Sequence, residues 1–175
     1  MKKGSDYEFS CEYFYLSRSV CDWCVSFLAK IKFNVDATFQ MGIEQLASYL
    51  NYEQSDAGIP VYAVCGERIG ASLKDGVGTI YYKNKHHFFR ELGVFIENVK
   101  KSDTFDVTED SFFETLGVMF NMSNIAPATV AGNKELLNYL VIMGYNMVML
   151  YTEDTIRMEK YPCFGLFRGG YTPDE

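Results

Sequence analysis

The sequence predicts an α+β N-terminal domain over residues 31–110, followed over 115–175 by the first βαβ unit of an incomplete (β/α)8 barrel. Three observations carry this expectation. Within 31–100, short alternating runs give way to a wide apolar stripe of Phe88, Phe89, Leu92, Phe95, Ile96 and Val99, the spacing of a helix that packs on a sheet. From 115 the rhythm changes. Residues 116–120 and 147–151 are continuous apolar runs with a helical pattern between them, as in parallel strands covered on both faces. Third, a Glu-Asp pair, Glu153 and Asp154, lies just past the C-terminal end of the second run, the edge where a barrel binds its substrate. A closed barrel takes roughly 250 residues. A chain of 175 residues with a domain before the barrel therefore reads as an enzyme's N-terminal part.

Each element has its own warrant. Residues 1–30 mix aromatics (Tyr7, Phe9, Tyr13, Phe14, Tyr15) with charges at no regular period and form an unassigned N-terminal extension. Ile31, Phe33 and Val35 alternate with polar residues, as a half-buried strand does. Ile43, Leu46, Ala47 and Leu50 mark one face of a short helix, and Asp56-Ala-Gly58 marks a turn. Pro60 opens an alternating strand over 61–64. Residues 71–73 and 79–82 flank Asp75-Gly-Val-Gly78, a hairpin whose glycines supply positive φ. The Phe-rich helix follows, and 100–104 is a polar link. After the strand at 116–120 and a loop over 121–129, a helix turns Leu136, Leu137, Leu140, Val141 and Met143 inward. Gly144 caps it, and the strand ending at Tyr151 leads into a glycine-containing loop over 162–170.

Composition narrows the function classes. Hydrophobic residues make up 48 %, enough for a real core and against disorder. The balance of 16 Lys+Arg against 23 Asp+Glu gives a net charge of −7, and no basic run exceeds two residues, which argues against a nucleic-acid partner. A neutral or cationic small ligand is compatible with that charge. No stretch approaches the roughly 18–20 apolar residues of a membrane span. Lys2 and Lys3 lead into Asp6, Glu8 and Glu12 rather than into an unbroken apolar core, so a cytoplasmic chain is expected.

Five cysteines (11, 21, 24, 65 and 163) at irregular spacing point to free thiols in a reducing compartment. Cys21-Asp-Trp-Cys24 is formally a CxxC, but a redox reading needs it at a helix start after a strand, and a zinc reading needs a second pair or histidines nearby. Neither context is visible. His86 and His87 are adjacent rather than three or four apart, and read as helix-terminal packing rather than as metal ligands. The strand and helix periodicity of Tyr81, Tyr82 and the phenylalanines makes them core before it makes them sugar-stacking platforms.

Several stretches taken in order resemble a known family: Ile59-Pro-Val61, Ser72-Leu-Lys-Asp-Gly76, His87-Phe-Phe-Arg90, Thr115-Leu-Gly-Val-Met-Phe120, Met143-Gly-Tyr-Asn146, Met149-Leu-Tyr-Thr-Glu-Asp-Thr155, and Phe164-Gly followed by Arg168-Gly and Tyr171-Thr172. Over about 31–175 they are similar to the N-terminal portion of glycoside hydrolase family 20, the β-N-acetylhexosaminidases, in their intracellular Firmicutes-type branch. The resemblance implies an α+β domain in front of a catalytic barrel that removes terminal N-acetylhexosamine with retention. It implies substrate-assisted chemistry, an exception to the usual two-carboxylate scheme. The sugar's 2-acetamido oxygen attacks the anomeric carbon, while an adjacent Asp-Glu pair orients the acetamido group and transfers the proton. It implies no metal or organic cofactor, and N-acetylhexosamine-containing glycans or glycosides as partners.

The resemblance puts the catalytic pair on a later barrel strand, beyond Glu175, so no catalytic residue is assigned in this chain. Glu153-Asp154 follows the second strand in reverse order and receives no acid/base role. The substrate-binding candidates are Asn124, Glu153, Asp154 and Arg168. Departures from the family pattern fall among them. Where relatives read Met-Phe-Asp-x-Ser-Arg-Asn, this chain reads Met119-Phe-Asn-Met-Ser-Asn-Ile125, with Asn121 for Asp and Asn124 for Arg. An asparagine cannot make the charge-assisted two-donor contact of a guanidinium. Gly170 likewise stands where an arginine is usual. Glu153 and Asp154 have a plainer reading as solvated loop acids or a helix N-cap, and Arg168 as a structural ion-pair partner. For the whole chain the alternative is a non-catalytic carbohydrate-binding or protein-interaction α+β module.

Overall fold

The computed structural model describes residues 28–123, 128–153, 155–165, 170–172 and 174. They form an α+β fold with a mixed six-stranded sheet, a separate pair of parallel strands, and three α-helices. The first half comprises β1 (Ala29–Asn34), a 3-10 turn (Ala37–Phe39), α1 (Gln40–Leu50), β2 (Tyr52–Gln54), β3 (Ile59–Cys65), β4 (Ile69–Lys74), β5 (Val77–Tyr82), α2 (Lys85–Val99) and β6 (Phe105–Glu109). The second comprises β7 (Gly117–Asn121), α3 (Val130–Ile142) and β8 (Met147–Tyr151).

The sheet runs in the order β2-β1-β3-β5-β4-β6. The β2-β1-β3-β5 half is parallel, whereas β4 runs antiparallel to both β5 and β6. The register brings Phe33 opposite Val61, Ala63 opposite Ile80, Ala71 opposite Ile80, and Ala71 opposite Val107. Because side chains alternate with period 2, these residues share one face of the sheet. That face buries Ile31, Val61, Ala71, Leu73 and Ile80 against Ile43 and Leu46 of α1 and Phe88, Leu92, Phe95 and Ile96 of α2. The apolar stripe of α2 is the keystone, with Phe88, Leu92 and Phe95 fully buried. Full burial of such side chains contributes about 1.5–3 kcal/mol each.

The predicted hairpin joins β4 to β5, and here the sequence reading needs one correction. Asp75 (φ 50°) and Gly76 (φ 76°) take the two left-handed positions, as a two-residue type I′ turn requires. Gly78 instead lies inside β5, directly beneath the Phe95 ring. A Cβ there would sit 2.6 Å from Phe95 Cζ and 2.8 Å from Val61 Cγ2.

Strands β7 and β8 pair in parallel, Gly117 opposite Met147 through Asn121 opposite Tyr151, with α3 as the crossover. The connection follows expectation; the burial does not. Every residue of β8 is exposed, from 37 % at Val148 to 56 % at Leu150. The inward face of α3 also differs. Leu136 and Leu137 are exposed, while Asn138 and Leu140 are buried and Val141 and Ile142 pack on the core of the first half. The reason lies in α3's neighbours. It packs along α2 and α1, where Gln45 Nε2 donates to Asn138 Oδ1 at 2.6 Å and Tyr139 meets Tyr49 edge-on. Ile142 comes so close to α2 that a Cβ on Gly93 would lie 3.0 Å from its Cγ2.

Candidate functional site

The sequence singles out the C-terminal edge of β7 and β8. There Asn121 Oδ1 accepts from the Ser123 backbone N–H at 3.0 Å and from its hydroxyl at 2.7 Å, folding the chain into a tight Asx turn. Met122 N–H donates to Tyr151 O at 2.9 Å, which ties this turn to the end of β8. Two residues past β8, Glu153 accepts from the Tyr151 hydroxyl at 2.8 Å and lies exposed. Asn121 and Glu153 therefore share one edge of the strand pair. Of the four substrate-binding candidates Glu153 is described; Asn124, Asp154 and Arg168 lie outside the described residues.

A second constellation has stronger chemistry, and the sequence reading missed it. Period 2 in β6 puts Phe105, Val107 and Glu109 on the helix-covered face of the sheet, so a carboxylate ends a run of core positions. Opposite it, α2 presents Arg90 and Glu91. Arg90 Nε and Nη2 donate to the two Glu109 oxygens at 2.9 and 2.7 Å, a two-pronged pair. Arg90 Nη1 also reaches the Ile142 carbonyl at 3.5 Å, which links the pair to the end of α3.

Glu91 is fully buried, and no donor reaches either of its oxygens. Its polar neighbour is another carboxylate, Glu109. Burial, reinforced by the Glu109 charge and by a hydrogen bond that only a protonated Glu91 can donate to Glu109, pushes the Glu91 carboxyl up to about 8. The same arrangement, with the Arg90 hydrogen bonds first, holds Glu109 below the usual carboxylate range. The two acids are thus driven apart: Glu109 carries the charge beside Arg90, and Glu91 keeps its proton at neutral pH.

His87 stands one turn before Glu91. Its Nδ1 accepts from the Asn84 backbone N–H at 3.2 Å, which leaves the proton of the neutral ring on Nε2. That Nε2 is buried and unpartnered among the described residues. Burial first, then the charges of His86 and Lys83, lowers the His87 pKa and keeps the ring neutral. His86 is lowered by burial as well.

These groups line a cavity of about 210 Å³ between the start of α2, the end of β6 and the segments 110–116 and 143–146. An adjoining groove of about 500 Å³ shares His86, His87 and Glu109 and reaches Arg68, whose guanidinium pairs with Asp106 and lies 4.0 Å over the Tyr81 ring. Among the described residues no cluster of His, Cys, Asp and Glu has metal-ligand geometry. Cys65 and Cys163 are exposed free thiols; Cys11, Cys21 and Cys24 lie outside the described residues. No described helix is long and apolar enough to cross a membrane. A sequence signal for the second site existed: His87 and Glu91 stand at i and i+4, bordering an apolar stripe.

No protein-family model matches this chain, and no curated protein matches it at a significant score.

Proposed function

We propose that this chain is the N-terminal part of a retaining family 20 β-N-acetylhexosaminidase, its mixed-sheet half preceding the opening of a (β/α)8 catalytic barrel. The observation that carries the reading is the unit β7-α3-β8. Its two strands are parallel and in register, a helix forms the crossover, and Glu153 follows directly past the C-terminal end of the second strand. Barrels draw their substrate contacts from that edge, one strand end after another. The ordered motifs of 59–172 supply the family, and the acidic strand end supplies a hydrogen-bonding group for a sugar hydroxyl.

On this reading the 175 residues by themselves turn over no aryl N-acetylglucosaminide, because none of them is assigned the acid/base role. Coding sequence read downstream of codon 175 provides the test. Further βα repeats and an adjacent Asp-Glu pair, with hydrolysis by the longer chain and loss of affinity in its Glu153→Gln variant, support the reading. Hydrolysis by the 175-residue chain alone overturns it, as does a downstream frame with no such repeats.

A further inference from the structure

The segment 110–116 joins the two halves of the chain, leaving β6 after Glu109 and reaching β7 at Gly117. It breaks the usual distribution of side chains. Phe112 is 88 % exposed and Phe113 68 % exposed, and both stand with the exposed Leu116 and Met143 along the cavity of about 210 Å³. The adjoining groove of about 500 Å³ shares Asp110, Ser111 and Phe113 with it and adds Glu114. Single exposed apolar residues are ordinary, but large ones grouped at a concave surface and rimmed by charge mark an interaction site.

We propose that this groove docks an extended, arginine-bearing segment of a partner protein, its apolar side chains on Phe112 and Phe113 and its guanidinium groups on Asp110 and Glu114. Charge selects the sign of the partner. The three cations that line the cavity and groove already hold acids: Arg90 donates twice to Glu109, Lys83 Nζ lies 2.6 Å from Glu67, and Arg68 pairs with Asp106. Asp110 and Glu114 have no cation among the described residues. His86 and His87, lowered by burial first, add no positive charge at neutral pH. An anion entering here would meet two uncompensated carboxylates; a cation finds two open partners.

Spacing selects a chain over a small ion. Asp110 and Glu114 flank the two phenylalanines in sequence, and four residues of extended chain span at most about 14 Å. A lone ammonium answers one acid. An extended segment with cations two to four residues apart and apolar side chains beside them answers both acids and covers the rings. Guanidinium groups suit this surface best, since each gives a carboxylate two donors and lays a flat face on an exposed ring. A second copy of this chain is a poor occupant, because two bodies of net charge −7 repel. This inference does not depend on the glycosidase reading, since none of the four groups belongs to the C-terminal edge of β7 and β8.

The test is a fluorescence-anisotropy titration of the 175-residue chain, at about 50 mM salt, with a dye-labelled hexapeptide of alternating arginine and leucine. Saturable binding is expected, with a dissociation constant on the order of 0.1 mM for so small a contact. The peptide with glutamate in place of arginine should bind at least about tenfold more weakly, and the one with serine in place of leucine at least about fivefold more weakly. Spermidine, a flexible cation with no apolar side chain, should compete only at concentrations about tenfold higher. Asp110→Asn and Glu114→Gln should each weaken binding about two- to fivefold, and Phe113→Ala, at an exposed position, about three- to tenfold. Glu53→Gln removes the same charge from β2, at the opposite edge of the sheet from β6, and should leave binding unchanged. Any of four results would overturn the proposal: no saturable binding of the arginine–leucine peptide, equal binding of the glutamate peptide or of spermidine, equal losses in Glu53→Gln and Asp110→Asn, or a dimer in light scattering that Phe113→Ala dissolves.

Discussion

Replacing Glu91 by glutamine removes a titrating proton from the core while conserving shape, and its effect is readable as a pH dependence of stability. Glu91 ordinarily titrates near 4.5 and is held up to about 8 in the folded chain, by burial first and by Glu109 second. Between those values the folded state binds the proton and the unfolded state has lost it. Stability must therefore fall as pH rises through the window, by about 1.4 kcal/mol per unit at full slope. Other groups face Glu91, and their signs matter. His86 and His87 are lowered from 6.5, so the folded state binds fewer protons and their contribution rises with pH until about one unit above 6.5. Glu109 is lowered, and its contribution is complete at lower pH still. Arg90, raised further by its hydrogen bonds to Glu109, stays charged throughout. The histidines are common to the parent and to Glu91→Gln, so from pH 6.5 to 8 the difference between the two proteins belongs to Glu91, and the parent should lose roughly 2 kcal/mol relative to the variant over that interval. Urea denaturation at four pH values, with the m-value held as a check on the transition, should give a parent line that falls steadily relative to that of Glu91→Gln. Parallel lines for the two proteins would refute the reasoning.

Four further outcomes can be checked. Gly78→Ala drives a methyl into the Phe95 ring and Val61 Cγ2, at 2.6 and 2.8 Å, and should cost about 1–3 kcal/mol by chemical denaturation. Phe88→Ala opens a cavity at a fully buried site that stacks on Phe39 at 4.1 Å, and should cost about 3–5 kcal/mol in the same assay. Arg90→Met strips the two-pronged partner from Glu109, a pair about a third exposed on each side, and should cost about 1–2 kcal/mol with the loss shrinking at low pH as Glu109 protonates. Met149→Lys, on a strand residue 52 % exposed, should change stability by less than about 0.5 kcal/mol while lowering hydrophobic-dye fluorescence and light scattering.

What the sequence could convey depended on whether an element's neighbours are encoded within it. The α2 stripe and the Asp75-Gly76 turn were legible because six helically spaced apolar residues, or two residues that tolerate positive φ, define them locally. Strand β2 was not, because three residues with Tyr52 alone facing inward carry no period. Its register instead rests on parallel pairing with β1 and on the Tyr52 hydroxyl donating to Ile43 O. Strand β6 does alternate, Phe105 and Val107 inward against Asp106 and Thr108, but its third inward position is Glu109. An acid where the pattern asks for an aliphatic residue hides the strand, and the same acid makes the site.

That coincidence explains why the two candidate sites differed so much in legibility. The β7–β8 edge announces itself because polar residues follow an apolar run, yet at Glu153 the acid is exposed and already accepts from Tyr151. The α2–β6 site consists of residues that interrupt core patterns: His87 and Glu91 beside the stripe of one helix, Glu109 at the end of one strand. Such interruptions look like noise in a single sequence, since either acid could as well face water. Only the register of β6 against β4, and the packing of α2 across both, turns Glu109 inward to meet Arg90 and Glu91. Burial costs a lone carboxylate several kcal/mol, a cost the fold meets by leaving Glu91 protonated beside Glu109 rather than by giving it a cation. A core that could have used leucine at position 91 carries instead a neutral acid set against the Glu109–Arg90 pair, so the interruption of the apolar pattern is also what fixes the charge state of the cluster.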